Sequence, residues 1–294
     1  MSRAQTGVSP GVNKNVLIHL YRVPDISMCS MSIGKVAAMI PGLANDIRKA
    51  APGYNLTYAV GFGPQLWSFT WQGNHPPGFR ALQASAHDRK VKSAGSDFIF
   101  FVSANLSGHN ENLAGQCQPH LKKIVKIRAR IEGEILPHAF NCATAGDDFS
   151  KTILISNRHP EFAQGSFLLN LSFFYNDDWK SLSKEDQATQ IENFSREVAG
   201  KLAKEPGFLS HFIPFMTAKK TGLNFLAFCN RMEPFQHLLD LVAAPAANPF
   251  LNDWMQWVGE VRHSQFFVPS IDLLTGLRMG GLRIGSLSPT APWK

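Results

Sequence analysis

His159-Pro-Glu-Phe-Ala-Gln-Gly165-Ser-Phe-Leu-Leu-Asn-Leu-Ser-Phe-Phe-Tyr175-Asn-Asp-Asp-Trp179-Lys-Ser-Leu-Ser183-Lys-Glu-Asp186-Gln187 sets the plan of the chain's second half. Gly165 marks a turn into an apolar run, 167–174, with the length and flanks of a strand. An acidic and aromatic tip follows. Ser183, with Asp186 three residues on, then makes a variant of the capping box that opens a helix.

Working outward, the second half reads as strand 167–174, helix 183–204, strand 223–228, helix 233–242 and strand 264–268, with a short strand at 152–156 expected to begin it. The first half gives strand 15–21, helix 30–50, strand 56–62, strand 98–102, helix 110–122 and strand 124–131. That is the β-α-β-β-α-β order of the split βαβ, or ferredoxin-like, motif. The expectation is an α+β fold of two tandem ferredoxin-like domains, 1–140 and 141–294, each an antiparallel sheet covered by helices, with the boundary near 133–150. Residues 276–294 have little periodicity.

With 294 residues, 44% of them hydrophobic, the chain can bury a sizeable core. No apolar run approaches the roughly 20 residues that span a bilayer, and the N-terminus has no charged-then-apolar signal pattern, so a cytoplasmic protein off the membrane is expected. Cys29, Cys117, Cys142 and Cys229 make no Cys-x-x-Cys pair, which points to free thiols. The formal charge is +7, and its densest stretch is Lys122-Lys-Ile-Val-Lys-Ile-Arg-Ala-Arg130. There the charges alternate with Ile124, Ile127 and Ile131, as on a strand with one solvated face, and no nucleic acid is expected. A dispersed positive surface instead suits an anionic ligand. Walker, Rossmann, His-Glu-x-x-His and Gly-x-Ser-x-Gly motifs are all missing.

The opening stretch, together with Gly222-Leu-Asn-Phe-Leu-Ala-Phe228, Phe266-Phe-Val-Pro-Ser270, Val60-Gly-Phe-Gly63 with Trp67, and Asp97-Phe-Ile-Phe-Phe-Val-Ser-Ala104, resembles the dye-decolourising haem peroxidases. The polar arm at 2–10 is similar to that of cytoplasmic members. Strand and turn patterns carry the resemblance over most of the chain. It implies haem b, hydrogen peroxide as oxidant, one-electron oxidation of bulky or anionic organic reductants, and a homo-oligomer. Two alternatives keep the fold: a haem-binding protein without peroxidase activity, and a haem-free interaction protein.

The resemblance also implies roles. His211, in Pro206-Gly-Phe-Leu-Ser-His211, matches a family Ser-His pair whose histidine binds iron, since imidazole donates electron density to the metal. Read on its own, it is a loop histidine that packs or faces solvent. Asp147, in Thr144-Ala-Gly-Asp147-Asp148, falls on the family's Gly-x-x-Asp-Gly carboxylate, which moves a proton between the two oxygens of peroxide. Thr144 and Asp148 replace the glycines, and the pair equally reads as an acidic turn. The family's distal arginine is missing, leaving Lys219 and Lys220 as the cations of that connection, on what reads as a solvated turn. Asp253 is placed near the acid that tunes the proximal histidine, with Gln256 as alternative, and it reads equally as an N-cap for a helix at 254–257. Phe215, Phe225 and Phe228 would line a haem pocket, or else belong to ordinary core.

Overall fold

The computed structural model describes residues 2–9, 13–71, 74–84, 90–136, 149–202, 208–217, 220–247 and 249–277. The first half runs β1 Asn15–Arg22, α1 Ile26–Ala50, β2 Thr57–Phe62, α2 Pro64–Thr70, β3 Val91–Ser93, β4 Phe98–Ala104, α3 Ser107–Leu121 and β5 Lys126–Glu134. The second runs α4 Phe149–Ile153, β6 Ser166–Tyr175, α5 Lys184–Leu202, β7 Leu209–Met216, β8 Thr221–Cys229, α6 Glu233–Ala243, α7 Pro249–Met255, β9 Val258–Val268 and α8 Ile271–Gly276.

Each half pairs its strands in the same order. In the first it is β5-β1-β4-β2 and in the second β9-β6-β8-β7, so both follow fourth, first, third, second. The pairs within each half are antiparallel, and the α+β ferredoxin-like duplication expected from the sequence is what the chain forms. Ser183 caps α5 as read: its Oγ accepts from the Asp186 amide at 3.0 Å and donates to Asp186 Oδ2 at 2.6 Å. At α1 the cap is Asp25, whose Oδ1 accepts from the Met28 amide at 3.0 Å and from Ser27 Oγ at 2.7 Å. That cap starts the helix at Ile26 rather than at residue 30.

Two expectations are corrected. The stretch 152–156 is not a strand, because α4 occupies its start. The connection that carries His211 is not a loop but β7, the second strand of the second repeat. Pro214 argues against a strand interior, yet it is tolerated because β7 ends the second-half ladder and has β8 as its only ladder partner among the described strands.

The repeats meet at both ends. Phe62 of β2 pairs with Phe267 of β9, and β3 lies parallel to β9. At the far side the Leu136 amide donates to the Phe212 carbonyl at 2.9 Å. Gly133 of β5 lies so close to β7 that a Cβ there would sit 2.5 Å from the Pro214 carbonyl oxygen. The sheet therefore curls towards a barrel. Its interior is packed by Val16, Ile18, Phe101 and Ile131 from one repeat against Leu168, Ile213, Leu226 and Phe266 from the other. The helices cover the outer face over a second core.

By length and composition α1 is long and apolar enough to cross a membrane, which the search for apolar runs did not anticipate. In the fold its Ile33, Ala37, Ile40 and Ala44 are fully or almost fully buried against that outer core. Gly133→Ala is expected to lower stability by about 1–3 kcal/mol, the usual effect of forcing an extra carbon into packed structure. The Leu136 amide should then exchange hydrogen faster. Unchanged exchange and stability would mean that the seam does not depend on this approach.

Candidate functional site

Strand alternation decides where His211 faces. Leu209, Ile213 and Phe215 of β7 belong to the barrel interior, whereas Phe212 faces the helices, so His211 points inward. The imidazole is 3% exposed. It lies parallel to the Phe101 ring at 6.3 Å between centroids, and edge-on to Phe228 at 6.3 Å. Neither ring nitrogen has a hydrogen-bond partner among the described residues. Burial lowers its pKa to about 4, so the ring is neutral at physiological pH.

A neutral imidazole has the right chemistry for iron, but its surroundings have the wrong shape. Haem needs an open approach to one ring nitrogen by a wide planar macrocycle. Here the ring is enclosed inside the curled sheet, and the described cavities lie elsewhere. As arranged, the residues around His211 do not fit haem.

Phe228 stands beside His211, with Phe215 in the same interior. Phe225 is not, since it faces the helix side with Phe208 and Phe212. Asp253 is also apart from His211. It is exposed within α7, whose neighbouring Trp254 packs on the helix-side face of the sheet. It caps no helix start, and its carbonyl accepts from Gln256 Nε2 at 2.7 Å. Asp147 and Asp148 lie outside the described residues, as do Cys142 and Lys219. Lys220 is ion-paired to Glu260 at 2.9 Å, with its ammonium 4.8 Å from the Phe174 ring centroid. Arg130, from the basic stretch, pairs with Glu111 and Glu132. Among the described residues, no group of three or more His, Cys, Asp or Glu side chains is placed to hold a metal ion.

Two features escaped the sequence reading. Asn170, Ser172 and Asn224 close a buried ring of hydrogen bonds inside the barrel. Asn224 Nδ2 donates to Asn170 Oδ1 at 3.0 Å, Asn170 Nδ2 to Ser172 Oγ at 3.3 Å, and Ser172 Oγ to Asn224 Oδ1 at 2.8 Å. Polar residues at alternate positions of an apolar strand were the available signal. The second feature is an aromatic layer between the second-half sheet and its helices. Phe194 of α5 stacks on Trp254 of α7 at 4.4 Å, and Phe173 and Phe212 meet Phe194 edge-on at 5.2 and 6.0 Å. Tyr175 stacks on Trp179 at 3.9 Å, and Trp179 meets Trp254 edge-on at 5.7 Å.

Residues 30–134 match the family model described as Dyp-type peroxidase, N-terminal. No curated protein matches the sequence. Among solved structures, the dye-decolorizing peroxidase of Bacteroides thetaiotaomicron superposes with a TM-score of 0.79 at 16% identity, covering 94% of this chain and 99% of that one. The encapsulated DyP-type peroxidase of Mycobacterium smegmatis gives 0.74 at 16%, covering 94% and 98%. A variant of the Rhodococcus jostii enzyme in complex with haem gives 0.74 at 18%, covering 92% and 97%. At these identities the likeness is one of fold.

Proposed function

We propose that the chain is a member of the dye-decolourising peroxidase superfamily and serves the reaction this family supports, haem-dependent oxidation by hydrogen peroxide. The observation that carries this reading is the whole-chain match of a duplicated ferredoxin-like sheet, joined to the family match over residues 30–134. One-electron oxidation of bulky or anionic organic reductants, haem b, a cytoplasmic location and a homo-oligomer, without nucleic acid or membrane, complete the proposal. The net charge of +7 favours anionic reductants. Asp147 is the carboxylate we assign to proton transfer at peroxide. His211 is left out, since its enclosure does not fit an iron ligand.

A second reading is favoured by that same enclosure and by the close-packed aromatic layer: the fold kept as a haem-free interaction protein. Adding haemin and then a single equivalent of hydrogen peroxide, while recording absorption, separates the two. On the peroxidase reading a ferric spectrum forms and converts to an oxidised one, and Asp147→Asn slows that conversion by about 10²–10⁴-fold. A wild-type protein that takes up no haemin overturns the peroxidase reading. Unaltered conversion in Asp147→Asn removes that residue from the chemistry.

A further inference from the structure

We propose that the groove between residues 75–82 and the start of α6 binds a monocarboxylate with an apolar body. Two cavities share Pro77, Gly78 and Glu233 as a common wall. The larger, about 800 Å³, is lined by His75, Phe79, Arg80, Leu82, Met232 and His237. The smaller, about 320 Å³, adds His159, Asn230 and Arg231. Each falls within the size range of small-molecule sites, which join an apolar surface to a few fixed polar groups.

The walls are tied in place. Trp67 Nε1 donates to the Asn74 carbonyl at 2.9 Å, and Asn74 Nδ2 and Trp71 Nε1 both donate to Glu161 Oε1 at 3.0 Å. Gln236 Nε2 of α6 reaches the Gln83 carbonyl at 2.6 Å, which fixes the strap against the helix. Gly78 turns the strap with φ +75°, a conformation that disfavours side chains. A groove built this way loses little freedom when a ligand enters.

The polar end selects charge. Arg231 Nε is buried and donates to no acceptor among the described residues. A buried Nε without an acceptor is costly, and Arg231 lines the smaller cavity, where its planar guanidinium matches a carboxylate in shape and charge. His159 lies on the same wall. The start of α6 adjoins both cavities through Glu233, and its N-cap, Met232, provides no side-chain cap and lines the larger one. Glu233 lies between the two cavities and Asp240 lines the larger one, and their repulsion disfavours a doubly charged anion. The body of the ligand would rest on Phe79, Leu82 and Met232, which are 3–6% exposed.

The test is calorimetric titration with 2-naphthoate, against 2-naphthylmethanol as the uncharged analogue. Naphthoate should bind wild type at least tenfold more tightly than the alcohol, and Arg231→Gln should remove most of that preference. Exposed His159 provides the independent variant if Arg231→Gln does not fold, and His159→Gln should weaken naphthoate severalfold. Equal binding of acid and alcohol, no binding by wild type, or binding untouched by the substitutions would overturn the site.

Discussion

Acidification from pH 7 to pH 5 is expected to remove about 2 kcal/mol of folding stability for each of two buried histidines, His19 and His211. Both have pKa values lowered to about 4, His211 by burial, His19 by burial first and then by the Arg130 charge. The native state therefore keeps these rings neutral while the unfolded chain takes up protons below the ordinary histidine value of 6.5. The unfolded state binds more protons in that window. Stability is thus fully present above about 6.5 and is lost as pH falls towards 4. His211→Leu should remove one share of this slope. At neutral pH the same substitution should alter stability by no more than about 1 kcal/mol, because it takes away two ring nitrogens that have no partner among the described residues. Denaturant midpoints measured across pH check both statements. A slope unchanged by His211→Leu would show that the ring is not held neutral in the core.

Trp254→Ala is expected to cost about 3–5 kcal/mol, the range for removing a large buried aromatic side chain. Trp254 is 2% exposed and touches the rings of Phe194, Phe173, Tyr175 and Trp179, so one truncation opens the layer that fixes α5 and α7 to the sheet. Much of the loss should come as a cavity that the rigid rings cannot fill. Trp254→Phe should recover part of it. Urea unfolding decides, and a loss below about 1 kcal/mol would mean that the layer is loosely packed.

The repeat was legible because its strands alternate with amphipathic helices and because Ser183 with Asp186 marks a helix start by local chemistry alone. What escaped depends on partners distant in sequence. Leu209 to Met216 carries apolar residues towards both faces, since β7 is buried by the barrel interior on one side and the helices on the other. Such a strand shows little alternation, and with Pro206-Gly207 before it and Pro214 within it the segment reads as a loop. Read on its own, His211 therefore looks like a loop histidine, and the resemblance makes it an iron ligand, whereas its inward direction follows only once the strand is known. Asp253 failed for a similar reason: a carboxylate near a helix start in sequence turned out to sit inside α7. The cap at Asp25 was missed: its first turn, Ile26-Ser-Met-Cys29, is exposed or only half-buried, so the expected start of the helix fell later, at residue 30. No local signal in Gly133 announces the seam, because closure joins β5 to a strand some eighty residues away.

Haemin titration of wild type and His211→Leu side by side, followed by absorption, tests the placement of His211 most directly. The barrel account predicts the same spectrum and the same stoichiometry for both proteins, with the difference between them confined to the pH dependence of unfolding. A haem band present in wild type and lost in a folded His211→Leu protein would contradict it, placing iron on an imidazole that the fold encloses inside its curled sheet.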